Sequence, residues 1–340
     1  MIEGKRFQRI VQGYLDARIL VIGDYFLDKY LAIDRRLAEV SLETGLEAHQ
    51  VTGVMASPGA AGNVVANLRS LGVGVVCLSV IGDDGEGYVL RRELTRRGAE
   101  IDALVVTPRR MTPTYTKPMM RETNGAIHEL SRLDHKNRSP LQADVEGQVI
   151  ERLRELVGVV DAVIVADQVQ EPNVGVVTDT VRQELIDLAK THPATLFAVD
   201  SRERVGLYSG MALKPNDREA VHAVDGDWLE EVPIERARRA GMMLSQRAGR
   251  PVFVTVGPQG TLVCEGGSVE RVPAEKVEGP IDIVGAGDST LAGIVASLCA
   301  GATPVEAAYM GNLTASVTIR QLGTTGVATP DQLRQAAVRG

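Results

Sequence analysis

The chain has 340 residues, 44% of them hydrophobic and only 4% aromatic, with a formal net charge of −7. That length suits one large α/β domain with an appendage, or two domains, and a core rich in Val, Ala, Leu and Ile suits buried parallel strands alternating with helices. Few aromatics and no long basic block exclude a stacking platform for nucleic acid and the electrostatic footprint of a DNA or RNA binder.

In chain order, Phe7, Ile10, Val11, Tyr14 and Leu15 recur at helical intervals, so residues 3–17 form a short amphipathic lead helix. No apolar leader precedes it, and no later run approaches the length of a membrane span. A soluble, cytoplasmic protein without a membrane partner is expected. Next comes the apolar run Ile19-Leu20-Val21-Ile22, then Gly23-Asp24 and, four residues on, Asp28. Ligands gather beyond the carboxyl ends of strands in open α/β sheets, and carboxylates bind hydroxyls through directed hydrogen bonds, so both acids are site candidates. Cys77, Cys264 and Cys299 are odd in number and in no metal-like spacing, which fits a reducing compartment rather than disulfides or zinc.

Residues 31–54 and 111–132 break the βα series with irregular, charged alternation, the second around a Thr123-Asn124-Gly125 turn. They read as a small β lid over a core made of 1–30, 55–110 and 133–340, and such a lid would keep water from a reaction. Between them, Pro58-Gly59-Ala60-Ala61-Gly62-Asn63 opens a helix with a loop that a ligand can approach closely. Strands are expected at 73–80, 101–106, 162–166, 196–199 and 252–256. Helices are expected at 85–97, 143–156, 176–190, 233–247 and 304–319, and a terminal helix begins at Thr329-Pro330.

Three acids or amides sit at the edges of these elements. Asp167 ends a strand, where it either touches a ligand or caps a helix near Pro172. Asn216 and Glu219 share one side of a helix start. Arg202 is either a phosphate-binding cation or a surface arginine.

The most informative stretch is Pro280-Ile281-Asp282-Ile283-Val284-Gly285-Ala286-Gly287-Asp288, followed by Leu291, Ile294, Val295 and Leu298 at helical spacing. It reads as strand end, tight turn and helix. A helix start leaves N–H groups unpaired and partly positive, and Gly285 and Gly287 clear the way for an anion. Asp288 beside that hole supplies a base, the minimum for moving a phosphoryl group to a hydroxyl. The plainer alternative is a helix whose Asp only serves the macrodipole.

This stretch resembles the C-terminal signature of the ribokinase-like (PfkB) carbohydrate and nucleoside kinases, and residues 58–63 resemble their N-terminal one. Val284 stands where many members have Thr, Ala60 where the second glycine is usual, and Gly62 where Ala is common. The resemblance implies a three-layer α/β/α core with a mostly parallel sheet and a small β-sheet lid. It implies ATP with magnesium, Asp288 as base, and the Gly285-Ala286-Gly287 turn as catalytic, with the N–H groups of Ala286, Gly287 and Asp288 on the phosphoryl group.

By the same resemblance Asp28, with Asp24, Gly59, Asn63 and Asp167, faces the sugar. Asn216, Glu219, Thr255, Gly257, Gly260 and Asn312 lie along the nucleotide, with Glu219 near magnesium, through water, and Asp282 near a monovalent cation such as K+. The loop Gly323-Thr324-Thr325-Gly326 borders adenine, and lids pair into homodimers. The run Gly23-Asp24-x-x-Leu27-Asp28 is closer to the bacterial heptose-7-phosphate kinases. Alternatives are a ribose- or fructose-type kinase, or a silent nucleotide- or sugar-binding protein of the same fold. A dinucleotide oxidoreductase lacks its glycine fingerprint after the first strand.

Overall fold

Helix α1 (Gly4–Gly13) leads into strand β1 (Arg18–Gly23) in the computed structural model, which describes residues 2–323 and 325–339. Asp24 alone separates β1 from β2 (Tyr25–Asp34). A short separate pair, β3 (Glu39–Val40) and β4 (Glu47–Ala48), precedes β5 (Val51–Ala60), which runs straight into α2 (Ala61–Leu71). Then come β6 (Gly74–Leu78), β7 (Val80–Gly82), α3 (Gly85–Arg96) and β8 (Val105–Thr107). Strands β9 (Thr114–Arg121), β10 (Ile127–Glu129) and β11 (Leu133–His135) lie together.

The chain then alternates: α4 (Ala143–Val157), β12 (Ala162–Asp167), α5 (Asp179–Thr191), β13 (Leu196–Ser201) and β14 (Ala212–Leu213). Helices α6 (Asp217–Asp225) and α7 (Ile234–Ala248) precede β15 (Val252–Thr255), β16 (Thr261–Glu265) and β17 (Ser268–Val272). Helices α8 (Ala286–Cys299), α9 (Pro304–Thr318) and α10 (Pro330–Arg339) finish it.

The main sheet has eight strands in the order β17-β16-β15-β14-β13-β12-β1-β6, parallel from β6 to β15 and antiparallel beyond. Its inner strands β1, β12 and β13 are apolar runs because both faces are covered. Along β1, Ile19 and Val21 pack with α1, α2, α8 and α9, while Leu20 and Ile22 pack with α4 to α7. The result is the expected three-layer ribokinase-like α/β/α core. No helix among the described residues is long and apolar enough to cross a membrane.

A second sheet of five strands has the order β10-β9-β2-β5, with β11 also on β9. It reaches beyond the windows 31–54 and 111–132, starting at Tyr25, ending at Ala60 and taking in residues 133–135. One intervening residue makes β1 and β2 look like one apolar run, and Tyr25 and Leu27 are buried like core residues. Two other expectations also change. Residues 101–104 form a turn, with the Leu104 N–H donating to the Ile101 carbonyl at 3.0 Å, so only Val105–Thr107 is a strand. No strand feeds the turn at Gly285: Ile281, Ile283 and Val284 are 48%, 70% and 63% exposed, and β-branched composition there marks an extended surface connection.

At the β5–α2 junction Ala60 has φ +52° and ψ −119°, a region that a Cβ strains. Replacing Ala60 by Gly is expected to stabilise the fold by about 1 kcal/mol, relief of strain exceeding the added freedom of the unfolded chain. A urea midpoint at or below that of the parent would contradict the strain. Gly62 follows because a Cβ there would lie 2.3 Å from the Pro58 Cβ.

Helix α8 is apolar on nearly every side, as it is wedged between the sheet and α9. A Cβ on its Gly293 would stand 2.6 Å from Thr314 Oγ1 and 3.0 Å from the Gly311 Cα, so the two helices meet backbone to backbone.

Candidate active site

The parallel strands β1, β12, β13, β14 and β15 end at one edge, and Asp24, Asp167, Asp200, Lys214 and Thr255 stand at or just past those ends. Between that edge and the second sheet lies a cleft of about 490 Å³, lined by Asp24, Asp28, Asn63, Arg202, Gly285 and Asp288 among others. The rule that ligands bind beyond the carboxyl ends of strands is met.

Asp288 is the third residue of α8, whose N-cap is Gly285 at φ +80°. Its Oδ2 accepts a hydrogen bond from Asn63 Nδ2 at 3.0 Å, which joins the two signatures across 225 residues. Burial and then the nearby Asp200 push the Asp288 carboxyl up to about 6, against the opposing pulls of Asn63, Lys214 and Arg202. A base with that value is ionised at neutral pH yet ready to take a proton. The Ala286 N–H donates to the Ile283 carbonyl at 3.1 Å, so it closes the turn and is not free for an anion. Among the described residues the Gly287 and Asp288 N–H groups have no acceptor. A Cβ on Gly287 would meet one atom within 4 Å, Lys214 Nζ at 3.6 Å, so space in front of these amides is open.

Asp28 projects from β2 into the cleft and pairs with Lys117 Nζ at 3.3 Å. Gly59, diagonally across on β5 where it pairs with Phe26, does not line the cleft; a Cβ there would sit 2.3 Å from Asp28 Oδ2, so its bareness makes room for that carboxylate. Asp28→Ala is expected to raise the acceptor KM by about 10–100-fold, the worth of a charged hydrogen bond, with nucleotide KM little changed. A larger change in nucleotide KM would show that Asp28 serves the other substrate.

Several other expected site residues have structural jobs. Asp24 is 3% exposed and accepts N–H bonds from Gln168, Val169 and Val176 at 2.8–3.0 Å, so it pins the 168–176 loop that walls the cleft. Asp167 caps no helix and does not line the cleft; it takes bonds from Ser201 Oγ at 2.6 Å and Tyr208 OH at 3.1 Å and pairs with Arg204. Asn312 is spent on Thr261, Val272 and Pro273. Gly260 is bare because a Cβ would lie 2.1 Å from the Val272 carbonyl oxygen. Thr255 holds the Pro215 carbonyl through its N–H, whereas Gly257 is exposed with open space before it.

Asn216 and Glu219 bond each other as a capping box at the start of α6, which accounts for their spacing. Among the described residues only Glu219 Oε2 is used, by the Asn216 N–H at 2.8 Å. Burial and Asp200 raise the Glu219 carboxyl above its ordinary value. Magnesium beside a nucleotide takes one or two carboxylates plus phosphate oxygens and water, and the uncommitted Glu219 Oε1 suits that share. Asp282 accepts the Val284 and Gly323 N–H groups, one at each oxygen, so the carboxylate braces the turn before α8. Thr324, in the loop expected near adenine, lies outside the described residues. Arg202 is exposed, lines the cleft and donates to Gln168 Oε1 at 2.9 Å.

Sequence reasoning missed a set of cations. Arg110, Arg132 and Lys136 line the cleft, and the last two lie over the Tyr115 ring at 4.7 and 5.6 Å. Lys214, 4% exposed, forms an ion pair with Asp200 at 3.1 Å. The available signal was its place directly after the buried pair Ala212-Leu213, at a strand's carboxyl end.

The pfkB family carbohydrate kinase profile matches residues 18–332. The chain belongs to that family. As a pfkB kinase it is a phosphotransferase acting on a sugar hydroxyl. It is 30% identical over 340 residues to the bifunctional protein HldE of Pelobacter propionicus, an alignment covering 99% of this chain and 67% of the relative. The chain thus spans about two thirds of the length of the curated relatives it matches. Its fold is similar to Escherichia coli phosphofructokinase-2 in complex with substrates and products, with TM-score 0.71, 18% identity, and coverage of 95% of this chain and 99% of that one. It is also similar to ribokinase from Cryptococcus neoformans in complex with ADP, with TM-score 0.64, 18% identity and coverage of 95% and 100%.

Proposed function

We propose that this pfkB kinase transfers the terminal phosphoryl group of ATP to a hydroxyl of a sugar phosphate, with heptose 7-phosphate the first candidate. The observation that carries the reading is a cleft with two kinds of polar wall. On the core side are Asp288 and bare amides; on the lid side is Lys136, with Arg132, itself paired to Asp134, beside it on the Tyr115 ring, a wall that suits an anion already on the acceptor. The resemblance of the Gly23-Asp24-x-x-Leu27-Asp28 run to heptose-7-phosphate kinases supports that sugar as the first candidate.

Asp28 orients the acceptor, and Asp288 takes the proton of the attacking hydroxyl as its oxygen bonds to phosphorus and ADP departs with the electron pair. Glu219 would hold magnesium, directly or through water, and the ion would supply charge neutralisation along the phosphates. ADP release is to be measured with heptose 7-phosphate, fructose 6-phosphate, ribose and fructose as acceptors. Preference for the unphosphorylated sugars would remove the anion-bearing acceptor in favour of a ribose- or fructose-type kinase. Nucleotide binding without stimulation by any sugar would favour a silent binder.

A homodimer through the lid is part of the same reading. The outer edge of β5 is unpaired, and Val51, Val54 and Met55 on it are exposed. A single species of monomer mass in sedimentation at micromolar concentration would count against it. Three unpaired cysteines support a cytoplasmic setting.

A further inference from the structure

We propose that the Lys214 ammonium, held by Asp200, is a catalytic cation that completes the phosphoryl site in front of α8. The inference rests on the nucleotide-dependent transfer proposed above and adds a residue to it. Strands β13 and β14 are parallel neighbours in which Val199 pairs with Leu213, so Asp200 and Lys214 emerge side by side at the sheet's carboxyl edge. The Lys214 backbone is fixed by its N–H bond to the Val199 carbonyl at 2.9 Å. Its ammonium is therefore aimed by the sheet itself toward the turn at Gly287.

A buried ammonium is costly, and a fold that only needed the volume would be served as well by an apolar side chain. The half-buried Arg204 shows how this chain settles a structural cation: beside Asp167 it also donates to the carbonyls of Val169 and Gln170. Lys214 has one ion-pair partner among the described residues, Asp200 at 3.1 Å, which leaves donors uncommitted. Asp200, Glu219 and Asp288 together outweigh burial and raise its pKa above the ordinary lysine value, so it is charged at working pH. Nζ lies 3.6 Å from where a Cβ on Gly287 would sit, beside the two N–H groups without acceptors. Two amides and one ammonium thus face one open space, a donor set suited to three phosphoryl oxygens. As the bond to the leaving ADP oxygen lengthens and the bond to the acceptor oxygen forms, Lys214 offsets the charge on those oxygens, and the hydroxyl proton goes to Asp288.

The test separates this role from the transfer reading. Calorimetry on the full chain compares binding of AMP-PNP and of ADP, with no sugar present, in the parent, Lys214→Met and Lys214→Arg. Lys214→Met is expected to lose about tenfold in AMP-PNP affinity, as for one charged hydrogen bond, with ADP affinity within about twofold. Lys214→Arg should recover part of the loss. Equal loss for both nucleotides, no loss, or a parent that binds neither would overturn the proposal. With the best acceptor, kcat of Lys214→Met should fall about 10²–10³-fold with little change in acceptor KM. Parental kcat would overturn it while leaving the transfer reading intact. If Lys214→Met does not fold, Asp200→Asn provides the second variant. Its expected signature is a lower kcat with the acid limb of the pH profile moved to lower pH, and an unmoved limb would count against the proposal.

Discussion

Asp288→Asn is expected to lower kcat by about 10²–10⁴-fold, the usual worth of a positioned base, with acceptor and nucleotide binding retained. The amide keeps the shape and can still meet Asn63 Nδ2 through its oxygen, so the fold should persist. The parent enzyme should show the reason in its pH profile. The Asp288 carboxyl is raised to about 6, and only the ionised form accepts a proton. Activity therefore falls as pH drops through about 6, by roughly tenfold per unit below it. The variant keeps no such limb. A variant with near-parental turnover, or one whose residual activity still titrates near 6, would assign the base elsewhere.

Gly287→Ala is expected to fold at least as well as the parent and to turn over about 10²–10³-fold more slowly, comparable to losing one donor of an oxyanion hole. Alanine is the better helix former by up to about 1 kcal/mol, and the one atom within 4 Å of the added methyl is the Lys214 ammonium at 3.6 Å. No backbone strain opposes the change, since Gly287 lies within α8 and is absent from the positive-φ glycines. What the methyl occupies is the space before the free amides. Stability and activity should part company, and a fall in melting temperature that matched the loss of rate would sink the idea.

How much of this was legible depends on the range of the interactions. The layers could be read because buried parallel strands are uniformly apolar, and β1, β12 and β13 are of that kind. The acid at the start of α8 and its turn were legible because a helix start, two glycines and an acid are neighbours in the chain. What was not legible is what lies across strands. Nothing near Gly59 in sequence says that its hydrogen makes room for Asp28, a partner one strand away. Lys214 meets Asp200 only because β13 and β14 are adjacent. Asp167 and Asn312 stand out as polar residues at a strand end or in an apolar helix, and each answers a backbone or side-chain demand of the fold itself. The β-branched run before Gly285 misled for the opposite reason: strand-like composition needs a neighbouring strand to pair with, and there is none.

The hydrogen-only faces of Gly293 and Gly311 give α8 a fixed seat in the interior. Asp288 lies five positions before the first of them on the same rigid rod. A methyl group introduced there, remote from every reactant, would jack the two rods apart and tilt the carboxylate off its line of approach. The aim of that carboxylate is kept in the plainest residues of the chain.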